Sequence, residues 1–329
     1  MELKKNINNT LNICMSVTFG GLILYWMYRD FDFGRLRQVL LHEMNWTWML
    51  LSFPFGISAQ LFRGWRWRLS LEPMGESPRL KTSVNAVFMS YASSLMVPRI
   101  GEFLRCGVLK RYDGVTFSKA LGTVVVERAI DSLLIMAVTA LTLIMQIRVF
   151  DTFFAQTGTN LHSTLSRFTP AGYAVTAMCA AAACIMAWIV MRRFAIYNKV
   201  LTTFKGIWQG IMSVRKLRNV PLYVALTLGI WMSYFLHYYL TFFCFESTCG
   251  LGIDCALVTF IVGSIAVIVP TPNGAGPWHF AVKTMLILYG VADNDALNFV
   301  LIVHSIQTLL VVGLGLYSCM ALAMTSKRT

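Results

Sequence analysis

Six apolar runs, at about 11–28, 46–63, 120–147, 171–191, 222–243 and 297–324, constrain this chain more than any other feature. The hydrocarbon core of a bilayer is roughly 30 Å thick, and a helix needs about 17–25 predominantly apolar residues to cross it. Composition agrees with this reading. The chain is 57% hydrophobic and only 13% charged, whereas soluble domains carry roughly 25% charged residues. The expected fold class is an all-α polytopic membrane protein.

Two further runs, 83–98 (SVNAVFMSYASSLMVP) and 255–270 (CALVTFIVGSIAVIVP), have 16 residues each and end at a proline. Such a helix rises roughly 24 Å, short of the hydrocarbon core. The charges indicate how these runs enter the membrane, because Lys and Arg stay on the cytoplasmic side. Most of the 28 basic residues fall in the loops 63–82, 99–119 and 192–221 and at the termini, as Lys4, Lys5, Lys327 and Arg328. Basic loops flank 83–98 on both sides, so it does not cross. The 255–270 run lies between loops with Glu246, Asp254, Asp293 and Asp295 and no Lys or Arg, so it enters and leaves from the outside.

The expectation is therefore six spanning helices plus two re-entrant helical hairpins of opposite orientation, with both termini cytoplasmic. Arg29, Arg35 and Arg37 count against it, since they fall in an outside loop. The unit is read as a single membrane domain over 1–329, an inverted repeat. Its first half, 1–147, holds a hairpin near 83–110, and its second half, 171–329, holds one near 255–291. The stretch 192–221 has room for a surface amphipathic helix.

The two breaks resemble each other. SSLMVPRIGEFLR and IAVIVPTPNGAGPWHF each run from apolar residues into Val-Pro and then Gly, giving Pro98 and Gly101 in one and Pro270, Pro272, Gly274 and Gly276 in the other. Prolines donate no backbone hydrogen bond, and glycines permit unusual dihedrals. Non-helical backbone at membrane depth survives only where it is buried in protein or lines a watery cavity. Interrupted helices in inverted repeats place a binding site where the breaks meet. Two simpler readings stay open: an ordinary outside loop at 265–280 and a tilted spanning helix at 83–98.

Charges inside apolar runs are the next signal. VVVERAIDSLLIM carries Glu127, Arg128 and Asp131. Glu127 and Asp131 share a helix face, and Arg128 is placed to pair with Asp131. Intramembrane charges face the interior and mark either a functional path or a structural lock. After the first break, Arg99, Glu102 and Arg105 recur at i, i+3, i+6, and Arg suits bidentate phosphate recognition. Interfacial snorkelling is the simpler role for them. His279 and Lys283 follow the second break at i, i+4 and are placed to meet a phosphate or a carboxylate of the 127–131 pair. His304 and Gln307 read as interhelical hydrogen-bonding groups. FRGWRWRL at 62–69 has the look of an interface anchor, with Arg63 and Arg66 also able to gather anionic lipid.

Other classes are excluded or weak. The net charge of +13 reflects topology and attraction to anionic headgroups. It is spread over membrane-flanking loops, which argues against a nucleic-acid partner. The N-terminal apolar run lacks a small-residue cleavage site and reads as an uncleaved helix. Of the eight cysteines, Cys14, Cys106, Cys179, Cys184 and Cys319 lie in or beside apolar runs, and Cys244, Cys249 and Cys255 cluster. One disulfide among those three is open, Cys249 with Cys255 being one pairing. No CxxC, P-loop, dinucleotide fingerprint, HExxH or GxSxG occurs, so no catalytic residue, metal or cofactor is assigned.

RGWRWRL, VPRIGEFLR, VERAIDSLL and the late VPTPNGAG, in this order, resemble the lysylphosphatidylglycerol synthase transmembrane region, a flippase-like family. The resemblance covers nearly the whole chain. It implies a stand-alone membrane member without the aminoacyl transferase domain, so a lysyltransferase label would be inherited from the family name. The family break usually reads closer to PxPGGxG, whereas here Asn273 replaces a glycine and Pro277, Trp278 and His279 follow.

Three functional readings follow. The first is a translocase in the bacterial inner membrane that moves an anionic phospholipid or a polyprenyl-phosphate-linked lipid. Arg99, Arg105 and Arg66 would take the lipid phosphate. Glu102, Glu127, Arg128, Asp131, His279 and Lys283 would line or gate the cavity, and a carboxylate would carry any coupling proton. The second is a membrane enzyme, or the partner of a membrane biosynthetic enzyme, acting on a lipid-linked phosphate. The third is a non-catalytic scaffold.

Overall fold

The computed structural model describes residues 18, 21–29, 32–145, 217–269 and 271–326. The expected span at 171–191, nearly all of 192–221, Cys14, Cys179, Cys184, Pro270 and the charged termini lie outside the described residues. Every regular element among the described residues is helical.

Residues 21–28 form α1. Helix α2 (Phe33–Gln38) begins where the Asp32 carboxylate accepts from the backbone N–H groups of Gly34 and Arg35. This is a side-chain cap on donors that have no helical partner. A π turn at Val39–Glu43 follows, closed by an ion pair between Arg35 and Glu43. Helix α3 (Trp46–Leu71) starts the same way, with Asn45 Oδ1 accepting from the N–H of Thr47. Then come α4 (Leu80–Ser94), α5 (Ile100–Asp113) and α6 (Phe117–Met145). Helix α7 (Val220–Tyr239) is capped by Asn219 and ends in a 3-10 turn, Leu240–Cys244. The chain closes with α8 (Ile253–Ala266), α9 (Pro277–Leu288) and α10 (Asp293–Ala323).

Two segments, Val220–Cys244 and Asp293–Ala323, are long and apolar enough to cross a membrane. Helices α3 and α6 match them in length, with 26 and 29 residues, or about 39 and 44 Å at the α-helical rise. Both carry buried charge. Large apolar side chains stay exposed along the long helices, including Leu133, Met136 and Ile144 on α6, Leu228 and Met232 on α7, and Leu316 and Met320 on α10. Such faces belong against lipid rather than water.

Helices α4 and α5 pack side by side, and so do α8 and α9. These are two helix–break–helix hairpins. With 15 and 14 residues, α4 and α8 rise roughly 21–23 Å, too short to cross. Helix α4 ends at Ser94, four residues before Pro98. Gly101 lies inside α5 rather than in the break. A Cβ there would sit 2.0 Å from the Ser90 carbonyl oxygen on α4, so the two helices approach closely only because position 101 has no side chain. Glycines on the flanking helices notch α4 in the same manner. A Cβ on Gly64 of α3 would meet the Val84 Cα at 2.7 Å, and one on Gly315 of α10 would meet the Ala92 Cβ at 2.3 Å.

The second break is a 3-10 turn at Pro272–Gly274 followed by Gly276. Asn273, Gly274 and Gly276 take φ of 52°, 71° and 91°, the left-handed region. Pro277 opens α9, where a missing N–H does no harm. Apolar packing among the described residues includes one cluster around Trp67, Val87, Cys106 and Leu109 on α3–α5, one around Tyr238, Phe242, Phe299 and Val300 at α7 and α10, and a smaller one of Leu69, Leu217, Tyr223 and Leu226.

Candidate functional site

On α3, Gln60, Arg63, Arg66 and Trp67 fall at i, i+3, i+6, i+7, one face of a helix. That face turns into the protein, and Arg63 and Arg66 are only 3% and 0% exposed. This corrects the interface-anchor expectation for these residues. They meet Glu127 and Asp131 of α6, which share a face at i, i+4.

Arg66 donates from Nη2 to Glu127 Oε1 at 2.9 Å and from Nη1 to Asp131 Oδ1 at 2.8 Å, and it reaches Thr227 Oγ1 at 3.2 Å. Arg63 donates to Asp131 Oδ2 at 3.1 Å. Arg105 of α5 brings its Nη2 to 3.0 Å from Glu127 Oε2, an ion contact, and lies 4.7 Å above the Trp67 ring. The Trp67 indole N–H donates to Thr123 Oγ1 at 3.0 Å.

Three buried guanidinium groups thus face two buried carboxylates, and the Nε atoms of all three arginines have no hydrogen-bond partner. The cluster carries one surplus positive charge. Each ion is stable in low dielectric only through such pairing.

Arg128 is not part of this network. It is 100° round the helix from Glu127 and pairs with Glu102 of α5 at 3.1 Å. The expected Arg128–Asp131 pair is therefore replaced by one between helices. Lys283 pairs with Asp293 at 2.8 Å, where α9 turns into α10. It joins neither Glu127 nor Asp131.

At the tips, Arg99 sits in the left-handed conformation, φ 64°, directly before α5. Its Nη2 donates to the carbonyl oxygen of Ile268 at 3.4 Å. The ends of the two hairpins therefore touch. Asn273 donates to Thr308 Oγ1 at 2.7 Å, and His304 Nε2 lies 3.1 Å from the Asn273 carbonyl oxygen. The second tip is thereby tied to α10. His279 is 3% exposed, and its ring centroid is 4.4 Å from that of His304.

Two cavities open here. The inner one, about 270 Å³, is lined by residues of α3, α4, α7, the second tip and α10. A wider cleft of about 600 Å³ is lined by Tyr28, Arg29, Ala275 and His279 among others. His304 lines both.

The sequence profile of the lysylphosphatidylglycerol synthase TM region matches residues 13–315. The chain belongs to that family. No curated protein and no solved structure matched it.

The lysylphosphatidylglycerol synthase TM region match spans both hairpins and the whole ion network. The structure brings Arg66, Arg105, Glu127 and Asp131 together, puts Glu102 with Arg128, and leaves Arg99 exposed at the tip contact. Cys249 and Cys255 are free thiols, one exposed and one buried. Sequence reasoning passed over Gln60, Tyr91, Tyr234 and His237, all of which line the inner cavity. The i, i+3 step from Gln60 to Arg63 was the available signal.

Proposed function

We propose that this membrane protein is a lipid translocase, and that the inner cavity beside the touching hairpin tips is the passage for the headgroup. The observation that carries this reading is the Arg99–Ile268 contact, one residue from Val267 in the wall of a cavity that also presents Gln60, Tyr91, Asn273 and Gln307. Broken helices meeting around a polar cavity is the arrangement by which carriers hold a polar cargo at membrane depth. The apolar residues Met96, Val267 and Ile268 are exposed around the tips, which suits acyl chains that stay in lipid while the headgroup moves.

On this reading Arg99 meets the lipid phosphate. Arg66 and Arg105, already held by Glu127 and Asp131, supply surplus positive charge behind the cavity. The two hairpins enter from opposite sides as halves of an inverted repeat with six spans. The setting is a bacterial inner membrane with cytoplasmic termini.

The test uses sealed vesicles containing the purified protein and phosphatidylglycerol with a fluorescent tail. Leaflet exchange is read by quenching from outside. Exchange well above that of protein-free vesicles, reduced in Arg99→Gly, is the expected result. Glycine relieves the left-handed backbone at this position, so that variant keeps its fold. Exchange at the protein-free rate by folded wild-type protein overturns the reading. A change in lipid mass assigns an enzyme instead.

A further inference from the structure

The lining of the inner cavity contains no Asp, Glu, Lys or Arg. Its polar groups are the carboxamides of Gln60 from α3, Asn273 from the second tip and Gln307 from α10, the hydroxyls of Tyr91, Tyr234 and Thr308 from α4, α7 and α10, and the imidazoles of His237 and His304. Trp278 adds an aromatic ring. Gln60 is 4% exposed, and its Oε1 has no hydrogen-bond partner. A buried acceptor of this kind awaits a donor.

The complementary group stands nearby. Tyr234 donates its hydroxyl to Tyr91 at 3.0 Å, which leaves the Tyr91 proton available. The Arg63 guanidinium lies 5.8 and 5.7 Å from the two ring centroids. Its charge strengthens both phenols as donors.

We infer that the inner cavity selects its lipid by a neutral, hydroxyl-rich headgroup, a polyol or sugar ring, with the phosphate left at Arg99 beside the cavity mouth. This rests on the translocase reading and names its substrate class. Each hydroxyl both donates and accepts, which matches an unpartnered carboxamide oxygen set near a phenol donor. An aromatic ring offers the C–H face of a polyol an apolar wall. A cationic headgroup finds no carboxylate here, and an ammonium buried without one is unfavourable. A volume of about 270 Å³ is just below that of drug-sized ligand sites, which run roughly 300–1,000 Å³. It takes a headgroup rather than a whole lipid.

The experiment is native mass spectrometry of the full chain offered equal amounts of phosphatidylinositol, phosphatidylglycerol, phosphatidic acid and phosphatidylethanolamine with identical acyl chains. A parallel arm adds free myo-inositol. Wild type retains the two polyol lipids over the other two by roughly five- to tenfold, the worth of one or two net hydrogen bonds. Gln60→Leu and Gln307→Leu lose that preference while binding as much lipid in total. If both variants unfold, Tyr91→Phe carries the same expectation, and wild-type selectivity alone still decides.

Retention of myo-inositol without a lipid preference keeps the polyol chemistry and assigns it to a soluble ligand. Phosphatidic acid binding as well as phosphatidylglycerol, a preference for phosphatidylethanolamine, or unchanged selectivity in folded Gln60→Leu overturns the inference. Leaflet exchange without headgroup preference removes this inference alone. Preference without exchange removes the translocase reading and leaves the site standing.

Discussion

The guanidinium of Arg99 donates to the carbonyl oxygen of Ile268, joining the tips of two helical hairpins 169 positions apart in the sequence. Arg99 reaches across in a left-handed backbone conformation, φ 64°, which costs a residue with a Cβ roughly 1–2 kcal/mol. Arg99→Gly removes that strain along with a hydrogen bond of comparable worth, so its stability stays within about 1 kcal/mol of wild type. Arg99→Val keeps the strain, loses the bond and is less stable by about 1 kcal/mol. Thermal unfolding in detergent separates them; equal stabilities for the two variants would mean that the backbone at 99 is relaxed.

Glu127 is fully buried between Arg66 and Arg105. Glu127→Gln leaves two guanidinium groups uncompensated and lowers stability by roughly 3–5 kcal/mol. Removing Arg105 as well returns the cluster to the wild-type surplus of one charge, so Glu127→Gln/Arg105→Met is less destabilised than the sum of its single variants. A double-mutant cycle by thermal or denaturant unfolding measures this. Simple additivity would show that the two groups do not interact.

Gly101→Ala places a methyl group 2.0 Å from the Ser90 carbonyl oxygen. Backbone cannot swing aside as a side chain can, so α4 and α5 separate, at a cost of about 3 kcal/mol or more. Gly107→Ala, also on α5, meets nothing within 4 Å and gains up to about 1 kcal/mol of helix propensity. Expression and melting temperature of the pair should move in opposite directions.

Cys249 is an exposed free thiol on the turn before α8, whereas Cys244 and Cys255 are buried. With the expected topology, an impermeant maleimide modifies Cys249 from outside sealed cells and leaves the two buried thiols alone. Peptide mass mapping reads the result. Modification of Cys249 only after the cells are opened would invert the assigned orientation.

Glu76, in the connection from α3 to α4, accepts from Lys119 at 2.9 Å. That hydrogen bond, with help from Thr116, holds its carboxyl below the usual value. A carboxylate depressed in the folded state stabilises above its unfolded pKa, near 4.3, and the contribution is lost as pH falls through the folded value. Lys119→Ala therefore lowers the melting temperature slightly at pH 7, by the equivalent of at most about 1 kcal/mol; below about pH 3 the part owed to Glu76 is gone, and only the loss of the Lys119 hydrogen bond to the Met74 carbonyl oxygen remains. A pH series of melts on the two proteins checks this.

Local patterns carried much of this architecture. Two short apolar runs ending at Val-Pro correspond to the two hairpins, and Glu127 with Asp131 on one face marked an interior surface of α6. The partners of that surface were not legible. Arg63 and Arg66 lie 68 and 65 positions before Asp131, and helical spacing says nothing about contacts at such separation. Arg and Trp near a helix end look alike whether they meet headgroups or an ion network. A cavity beside the breaks was legible, but its lining by Gln60, Tyr91 and Tyr234 was missed for the same reason, since these come from three separate helices.

Glycine notches grip α4 from three sides, against Val84, Ser90 and Ala92. Contacts made backbone to backbone, or against a Cβ, leave no slack for sliding. The close glycine contacts of the second hairpin lie within it, Gly263 against the Trp278 side chain and Gly274 against the Val267 side chain. The first hairpin is locked to its neighbours by its notches, and on the proposed translocase reading any alternation between the two faces of the membrane leaves α4 in place.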